Sequence, residues 1–308
     1  MFDLKLFLKG VTMGAADIVP GVSGGTIAFI SGIYFRLLAA IKGFLPALWQ
    51  ARSHLSWQRF CRESDLVFLL TLFAGILLSV VSLSHVITYL LHAHPIPLWS
   101  FFFGLILASV RLVAREYRFF QFKNVLVLLI GGMLAVLISR LSPAQLEPSM
   151  WVAFGSGALA ICAMILPGIS GSFILVMLGT YGFILSALKN FEWFTLGLFA
   201  AGCVLGLLSM ANVLHWALKR YHETALALLC GFMIGALDKV WPWKQVLSYR
   251  ENRHGELVPL QEVNVSPWYF TELNGDDHQL LLAVIFAVIA AVVVLGLDFV
   301  ANRKQVSE

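Results

Sequence analysis

Apolar residues run through this chain in long blocks, without the alternation of a half-buried strand or the one-sided stripe of a surface helix. Six blocks predict simple membrane-spanning helices: 66–91, 98–113, 124–141, 193–218, 224–237 and 279–300. A span needs about 20 residues, so the blocks beginning at 98 and 224 are short. Two further apolar regions, 4–41 and 151–188, are nearly twice one span. Each is interrupted near its middle by Pro-Gly-x-Ser-Gly. They predict either re-entrant hairpins or pairs of full helices, and both options return the chain to the side it came from.

The interruptions recur in register. Gly10, Pro20, Gly21, Ser23, Gly24, Gly32 and Tyr34 match Gly157, Pro167, Gly168, Ser170, Gly171, Gly179 and Tyr181 at one offset of 147. Further on, Ala74, Gly75, Ser82, Val86 and Gly104 match Ala201, Gly202, Ser209, Val213 and Gly231 at an offset of 127. Each half is then one broken hairpin plus three crossings. Three is odd, so the second half is inverted relative to the first. The pattern predicts an all-α polytopic membrane protein of two inverted-topology repeats, 1–147 and 148–308, each a broken re-entrant hairpin plus three transmembrane helices. The segment 240–277 becomes an external loop of mixed charge, with Trp241, Trp243 and Trp268 suited to a membrane interface.

Composition agrees. The chain is 59% hydrophobic and 12% charged, with a mean hydropathy of +0.85, against roughly half apolar and a quarter charged in a soluble domain. The net charge of +4 is small and says nothing about nucleic acid, and the basic residues do not cluster as a nucleic-acid footprint would, so no nucleic acid is expected as a partner. The basic residues read instead as topology signals. With the N-terminus in the cytoplasm, cytoplasmic segments hold Lys5, Lys9, Lys42, Arg52, Arg59, Arg62, Arg111, Arg115, Arg118, Lys123, Lys219, Arg220, Arg303 and Lys304. The outside holds Arg140, Lys189, Lys239, Lys244, Arg250 and Arg253. That is 14 against 6, and both termini fall in the cytoplasm. If each broken region crossed only once, the loop with Lys42, Arg52, Arg59 and Arg62 would lie outside, so that reading is rejected. Cys61, Cys162, Cys203 and Cys230 form no CxxC pair and flank no spaced histidines, so neither a metal site nor a disulfide framework is expected. No cofactor is implied. The apolar stretch after Met1 is broken by Gly14, Asp17 and Pro20 and does not read as a cleavable signal peptide.

Candidate chemistry sits at the breaks. Irregular backbone is tolerated in a membrane only where protein or a wet cavity satisfies it. Pro20 ends the first half-helix, Gly21, Gly24 and Gly25 permit a tight reversal, and Ser23, followed by Thr26, is placed to cap the returning helix. Free N–H groups and the positive dipole end there suit an anion. Pro167, Gly168, Ser170, Gly171 and Ser172 repeat the device from the opposite side. Broken helices from inverted repeats that meet near the midplane describe many secondary transporters. The plainer alternative is a pair of packing kinks with small residues for close helix contact. Asp17, one turn before the first break, is a candidate for a coupling proton or cation, for an ion pair with Arg36 or Arg111, or for a structural carboxylate held by its own hairpin. Its repeat partner is Met164, so the two tips are not equivalent. Arg111 matches Asp238, next to Lys239. These can receive a phosphate from either face or simply snorkel as helix-end charges. His85 and Asn212 align and suggest helix–helix hydrogen bonds. Tyr34 and Tyr181 read as packing or interface residues rather than ligands.

At these residues a resemblance emerges. Asp17-Ile-Val-Pro-Gly-Val-Ser-Gly-Gly-Thr26, Gly32-Ile-Tyr34, Phe102-Phe-Gly-Leu-Ile-Leu107 and Gly235-Ala-Leu-Asp-Lys-Val-Trp-Pro-Trp243 resemble the bacterial PopT family, long catalogued as a membrane domain of unknown function. The likeness runs over essentially the whole chain. It implies a polyprenyl-phosphate transporter of the bacterial cytoplasmic (inner) membrane. Such a protein returns undecaprenyl phosphate from the outer to the cytoplasmic leaflet and so recycles the carrier for peptidoglycan and other envelope polymers. The partners implied are that lipid and the bilayer, with proton or cation coupling and a homo-oligomer both left open. Spacing alone yields only an anion-competent inverted-repeat transporter. Two other classes stay in view. A polyprenyl diphosphate phosphatase also carries Pro-Gly-x-Ser between inverted repeats, but its loop continues with Arg; here Gly-Gly-Thr and Gly-Ser-Phe follow, and no nearby His serves as nucleophile or acid. The other is a channel or symporter for a small anion.

Overall fold

The computed structural model describes residues 3–19, 22–54, 64–141, 144, 146–251, 257–275 and 277–305. The apolar blocks are helices with nearly the predicted bounds. In chain order they are α1 (Leu4–Ile18), α2 (Gly24–Ile30), α3 (Tyr34–His54), α4 (Leu66–Ala93), α5 (Pro95–Ala114), α6 (Phe122–Arg140), α7 (Met150–Ile165), α8 (Gly171–Met177), α9 (Tyr181–Lys189), α10 (Trp193–Arg220) and α11 (His222–Ala236). After them come the strands β1 (Lys244–Glu251) and β2 (Leu257–Asn264), then α12 (Pro267–Asn274) and α13 (Leu280–Gln305). Among the described residues, α4, α5, α6 and α10 are long and apolar enough to cross a membrane, and two bent pairs raise the number of spans from 4 to as many as 6. The chain is thus a mainly helical, polytopic membrane protein.

Both broken regions resolve into three pieces. A first helix stops at the break. A seven-residue helix follows, α2 or α8. The chain then bends by 116° into α3 and by 106° into α9. Each bend is made at a glycine in the left-handed region, Gly32 at φ +70° and Gly179 at φ +69°, where a Cβ would be strained. The hydrogen bonds around the bends repeat at the 147 offset: Ile33 N–H to Ala28 O, and Thr180 N–H to Leu175 O.

The chain divides by contact into two compact units. The first, Met1–Ile87 with Val110–Ala236, is held by helices touching backbone to backbone at glycines. A Cβ on Gly10 would collide with Leu72 O, and one on Gly14 with Ile76 O and the Ser79 side chain. Along α7 and α10, Gly157 meets Phe199 O, Gly202 meets Phe154 O and Gly206 meets Ala158 O. Gly231 on α11 meets Leu128 O of α6, and Gly235 meets Gly132 O. In each pair contact positions advance together, so α1 runs parallel to α4, α7 to α10, and α6 to α11. Small residues are how helices approach when lipid tails are as apolar as the side chains. The outer faces carry large exposed apolar residues, among them Phe73, Val81, Met133, Leu137 and Val204, as a lipid-facing surface does.

The second unit is Thr88–Ser109 with Leu237–Glu308. Here the structure goes beyond the sequence reading, which expected only a loop at 240–277. β1 and β2 form an antiparallel two-stranded ribbon. α12 then begins with Ser266 capping Tyr269 N–H and Pro267 in the first turn, and ends at left-handed Gly275. Two tryptophans assigned to a membrane interface are instead structural. Trp243, 6% exposed, packs with Ile96 and Ala283 and donates Nε1–H to His278 O at 2.8 Å. Trp241 donates to Val265 O at 2.9 Å. A ribbon this short has little core of its own, and its base is fastened where Val265 N–H donates to Trp243 O at 3.1 Å and Trp241 donates to Val265 O. Trp268, 66% exposed, remains free for an interface. Lys244 anchors the ribbon: its Nζ donates to Lys239 O at 2.8 Å, lies 3.5 Å from Glu262 and sits 4.2 Å over the Trp99 ring. Burial pushes its ammonium down to about 8, against the Glu262 charge that holds it up.

Candidate functional site

The last carbonyls of α7 have no partners within their own helix. Side chains of the first break supply them. Ser23 Oγ donates to Met164 O at 3.0 Å, and Tyr34 Oη donates to Ile165 O at 3.1 Å. In the other direction Gly168 N–H donates to Thr26 Oγ1 at 3.0 Å. The two breaks, more than 140 residues apart in sequence, therefore join directly. Ser23, Thr26 and Tyr34 are buried. Gly25 stays a glycine for a spatial reason: a Cβ there would lie 2.8 Å from Ile165 O and 3.0 Å from Met164 O.

The first tip is capped from within, so the N–H groups expected to be free are engaged. Gly24 N–H donates to Asp17 Oδ1 at 2.7 Å and Gly25 N–H to Ser23 Oγ at 3.1 Å. Asp17 thus caps its own hairpin through Oδ1, while among the described residues its buried Oδ2 has no hydrogen-bond partner. Its proposed partner Arg36 is committed elsewhere: the guanidinium grips Asp65 through two hydrogen bonds of 2.6 and 3.0 Å and lies 4.3 Å over the Phe68 ring. At the far end of α2, Lys9 Nζ donates to Ser31 O at 2.6 Å. Asp17 and Lys9 therefore hold the two ends of α2 from one face of α1. Their separation, about 12 Å along a helix, fits a seven-residue helix of about 10 Å, and the charges complement its dipole. Sequence reading counted Lys9 only as a topology charge, and nothing local distinguishes the two roles.

The second tip is built differently. Asp17 corresponds to Met164 and Lys9 to Ser156, so α8 has neither charge at its ends. Ser170 occupies the cap position but makes no cap. Its hydroxyl pairs with Ser172 Oγ at 2.9 Å. Ser170 is buried, Ser172 exposed, Pro167 and Gly171 buried. Pro20 and Gly21 lie outside the described residues. Arg111 is exposed at the end of α5. In the second unit Asp238 accepts from Asn264 Nδ2 at 2.7 Å through its carbonyl and 3.0 Å through Oδ1, and Lys239 lies 3.9 Å from Glu262. Both hold the ribbon. Asn212 bonds its own helix at Leu208 O rather than a neighbour. Among the described residues no group of three or more His, Cys, Asp or Glu gathers as a metal site.

The arrangement defines a class: a polytopic helical membrane protein in which two broken helices meet and side chains of the first satisfy backbone groups of the second. Comparison with known sequences gives the family. The chain belongs to the VCA0040-like family, described as undecaprenyl phosphate translocase-like, whose profile matches residues 13–258. A polyprenyl-phosphate transporter of Vibrio cholerae serotype O1 is 47% identical over 300 residues, 97% of either chain. A polyprenyl-phosphate transporter of Staphylococcus aureus is 33% identical over 253 residues, 76% of this chain and 85% of that one. No solved structure matches the chain.

Proposed function

We propose that this protein translocates a polyprenyl phosphate, undecaprenyl phosphate by its family, from the outer to the inner leaflet of the bacterial cytoplasmic membrane, returning the carrier for envelope synthesis. The observation that carries the reading is the direct junction of the two breaks, Ser23 to Met164 O and Gly168 to Thr26. The names of the two relatives supply the lipid. The head group binds at this junction, among Ser23, Gly24, Gly25 and Thr26 on one side and Pro167, Gly168, Ser170, Gly171 and Ser172 on the other, with Pro20 and Gly21 assigned to the same motif from sequence alone. Parting of the breaks toward one face and then the other gives alternating access. Arg111 and Lys239 are the cations proposed to assist entry of the phosphate.

The inverted-repeat architecture belongs to the same proposal. α1 runs parallel to α4 and α7 to α10. The matched pairings of α1 with α4 and of α7 with α10 support the repeat, and the odd number of predicted crossings in each half supports its inversion. The repeats are 1–147 and 148–308, as the sequence offsets suggest. Cysteines placed at Gln121 and Glu272, with the native cysteines replaced, are expected to react with an impermeant thiol reagent from opposite sides of the membrane. Reaction from the same side removes the inverted arrangement.

Asp17 is proposed to couple transport to a proton or cation through its unpartnered Oδ2. Asp17→Asn keeps an acceptor for Gly24 N–H and removes the exchangeable charge. Its transport rate is expected to lose the wild-type pH dependence, and an unchanged profile counts against coupling here. Transport is separated from the two other readings in reconstituted vesicles. Movement of undecaprenyl phosphate supports the proposal; movement of inorganic phosphate alone favours a small-anion carrier; release of phosphate from undecaprenyl diphosphate favours a phosphatase.

A further inference from the structure

The first break holds three hydroxyls at 0%, 0% and 1% exposure: Ser23, Thr26 and Tyr34. Two of them donate to carbonyls that end α7, Met164 O at 3.0 Å and Ile165 O at 3.1 Å. The third accepts from Gly168 N–H, and among the described residues its own proton has no acceptor. Carbonyls at a helix C-terminus carry the negative end of the dipole. They are the closest the backbone comes to an anion. A cradle of buried donors closed over two such oxygens has the chemistry of a phosphate site that is already filled.

We propose that this cradle is the head-group site in a self-occupied form, and that Tyr34 is a direct ligand. When the breaks part, two phosphate oxygens replace Met164 O and Ile165 O on Ser23 and Tyr34. Thr26 Oγ and Gly168 N–H, released from each other, become two further donors. The inference rests on the polyprenyl-phosphate reading and adds to it a ligand residue, a basis for specificity and a trigger. Hydrogen bonds to a charged acceptor are roughly twice as strong as those to a neutral one, so a phosphate can displace a carbonyl where an alcohol cannot. A polyprenol offers one hydroxyl where two acceptor oxygens must be replaced. Because the bonds that hold the breaks together are the bonds the ligand takes over, binding and opening are one event.

Among the described residues the cradle occurs once. The positions matching Ser23, Thr26 and Tyr34 in the second half are Ser170, Phe173 and Tyr181. There Ser170 pairs with Ser172, Phe173 has no hydroxyl and Tyr181 is 37% exposed. Tyr34 is held for its task by the Phe29 and Phe35 rings, at 5.1 and 6.3 Å. Its hydroxyl has no duty inside its own hairpin, which separates a ligand role from simple packing.

The test is a pair of titrations on the purified full-length protein, with undecaprenyl phosphate and with undecaprenol, read by native mass spectrometry. Wild type is expected to bind the phosphate at least about tenfold more tightly than the alcohol. Tyr34→Phe and Thr26→Val are each expected to reduce that preference about tenfold, the scale of one lost hydrogen bond to a charged group, while leaving undecaprenol binding unchanged. A preference equal to wild type, with only thermal stability lowered, makes the hydroxyls braces and overturns the inference. If Tyr34→Phe does not fold, Thr26→Val decides alone. Equal binding of both lipids by wild type instead overturns the underlying reading, and the inference with it.

Discussion

Gly202→Ala is expected to lower the thermal stability of the purified protein sharply, while Gly197→Ala on the same helix leaves it unchanged or slightly raised. A methyl at Gly202 would meet Phe154 O, a backbone atom that cannot swing aside, whereas nothing lies within 4 Å of the same methyl at Gly197. Alanine favours a helix over glycine by about 1 kcal/mol, so Gly197→Ala gains what Gly202→Ala also gains. Overpacking a tight contact costs about 1–3 kcal/mol, and here it acts where α7 and α10 rely on close approach. The midpoints of the two variants are expected to differ by several degrees, about 4 °C or more for a protein of this size. Equal midpoints would remove the claim that these glycines set the helix spacing. Gly75, which faces Phe7 O at the matched position of the first half, is expected to behave as Gly202 does.

Gly25→Ala is expected to reduce transport at least about tenfold while the protein still inserts and folds. The new methyl would stand 2.8 Å from Ile165 O and 3.0 Å from Met164 O. Both oxygens belong to the backbone and are accepting bonds from Tyr34 and Ser23. Relief requires the breaks to shift apart by a few tenths of an ångström, and that lengthens the hydrogen bonds of the junction together. A loss of about 1.5 kcal/mol in a geometry-dependent step is about tenfold in rate. The added helix propensity at α2 offsets part of the stability cost, so this substitution separates transport from folding. Lost insertion, with normal transport per folded molecule, would show the close approach to be structural only.

How much was legible follows from what kind of signal each feature leaves. The spans were read from apolar runs because lipid imposes them residue by residue, and the bounds of α4, α10 and α13 follow. The breaks were visible because proline and glycine mark them twice at a fixed offset. The strands 244–251 and 257–264 were not, since their mixed sequence does not alternate cleanly and Trp241 fastens their base from outside by donating to Val265 O. Lys9 looked like one more cytoplasmic charge, because a lysine that caps α2 and one that faces water have the same local sequence. Arg36 was offered to Asp17 when Asp65, 29 residues on, holds it. The packing of Tyr34 is legible, but the bond of its hydroxyl is not, because the acceptor lies 131 residues away, beyond any periodicity. What sequence conveyed well was local; what it missed was which distant backbone group each polar side chain serves.

The central claim is that a polyprenyl phosphate crosses the membrane through the junction of the two breaks. The most direct measurement is leaflet-resolved flux of undecaprenyl phosphate in vesicles of uniformly oriented protein, comparing wild type with Gly25→Ala. The account predicts that wild type moves the lipid from the leaflet corresponding to the outside well above the rate of protein-free vesicles, and that Gly25→Ala falls toward that rate. Wild-type flux no faster than protein-free vesicles, or Gly25→Ala flux equal to wild type, would contradict it.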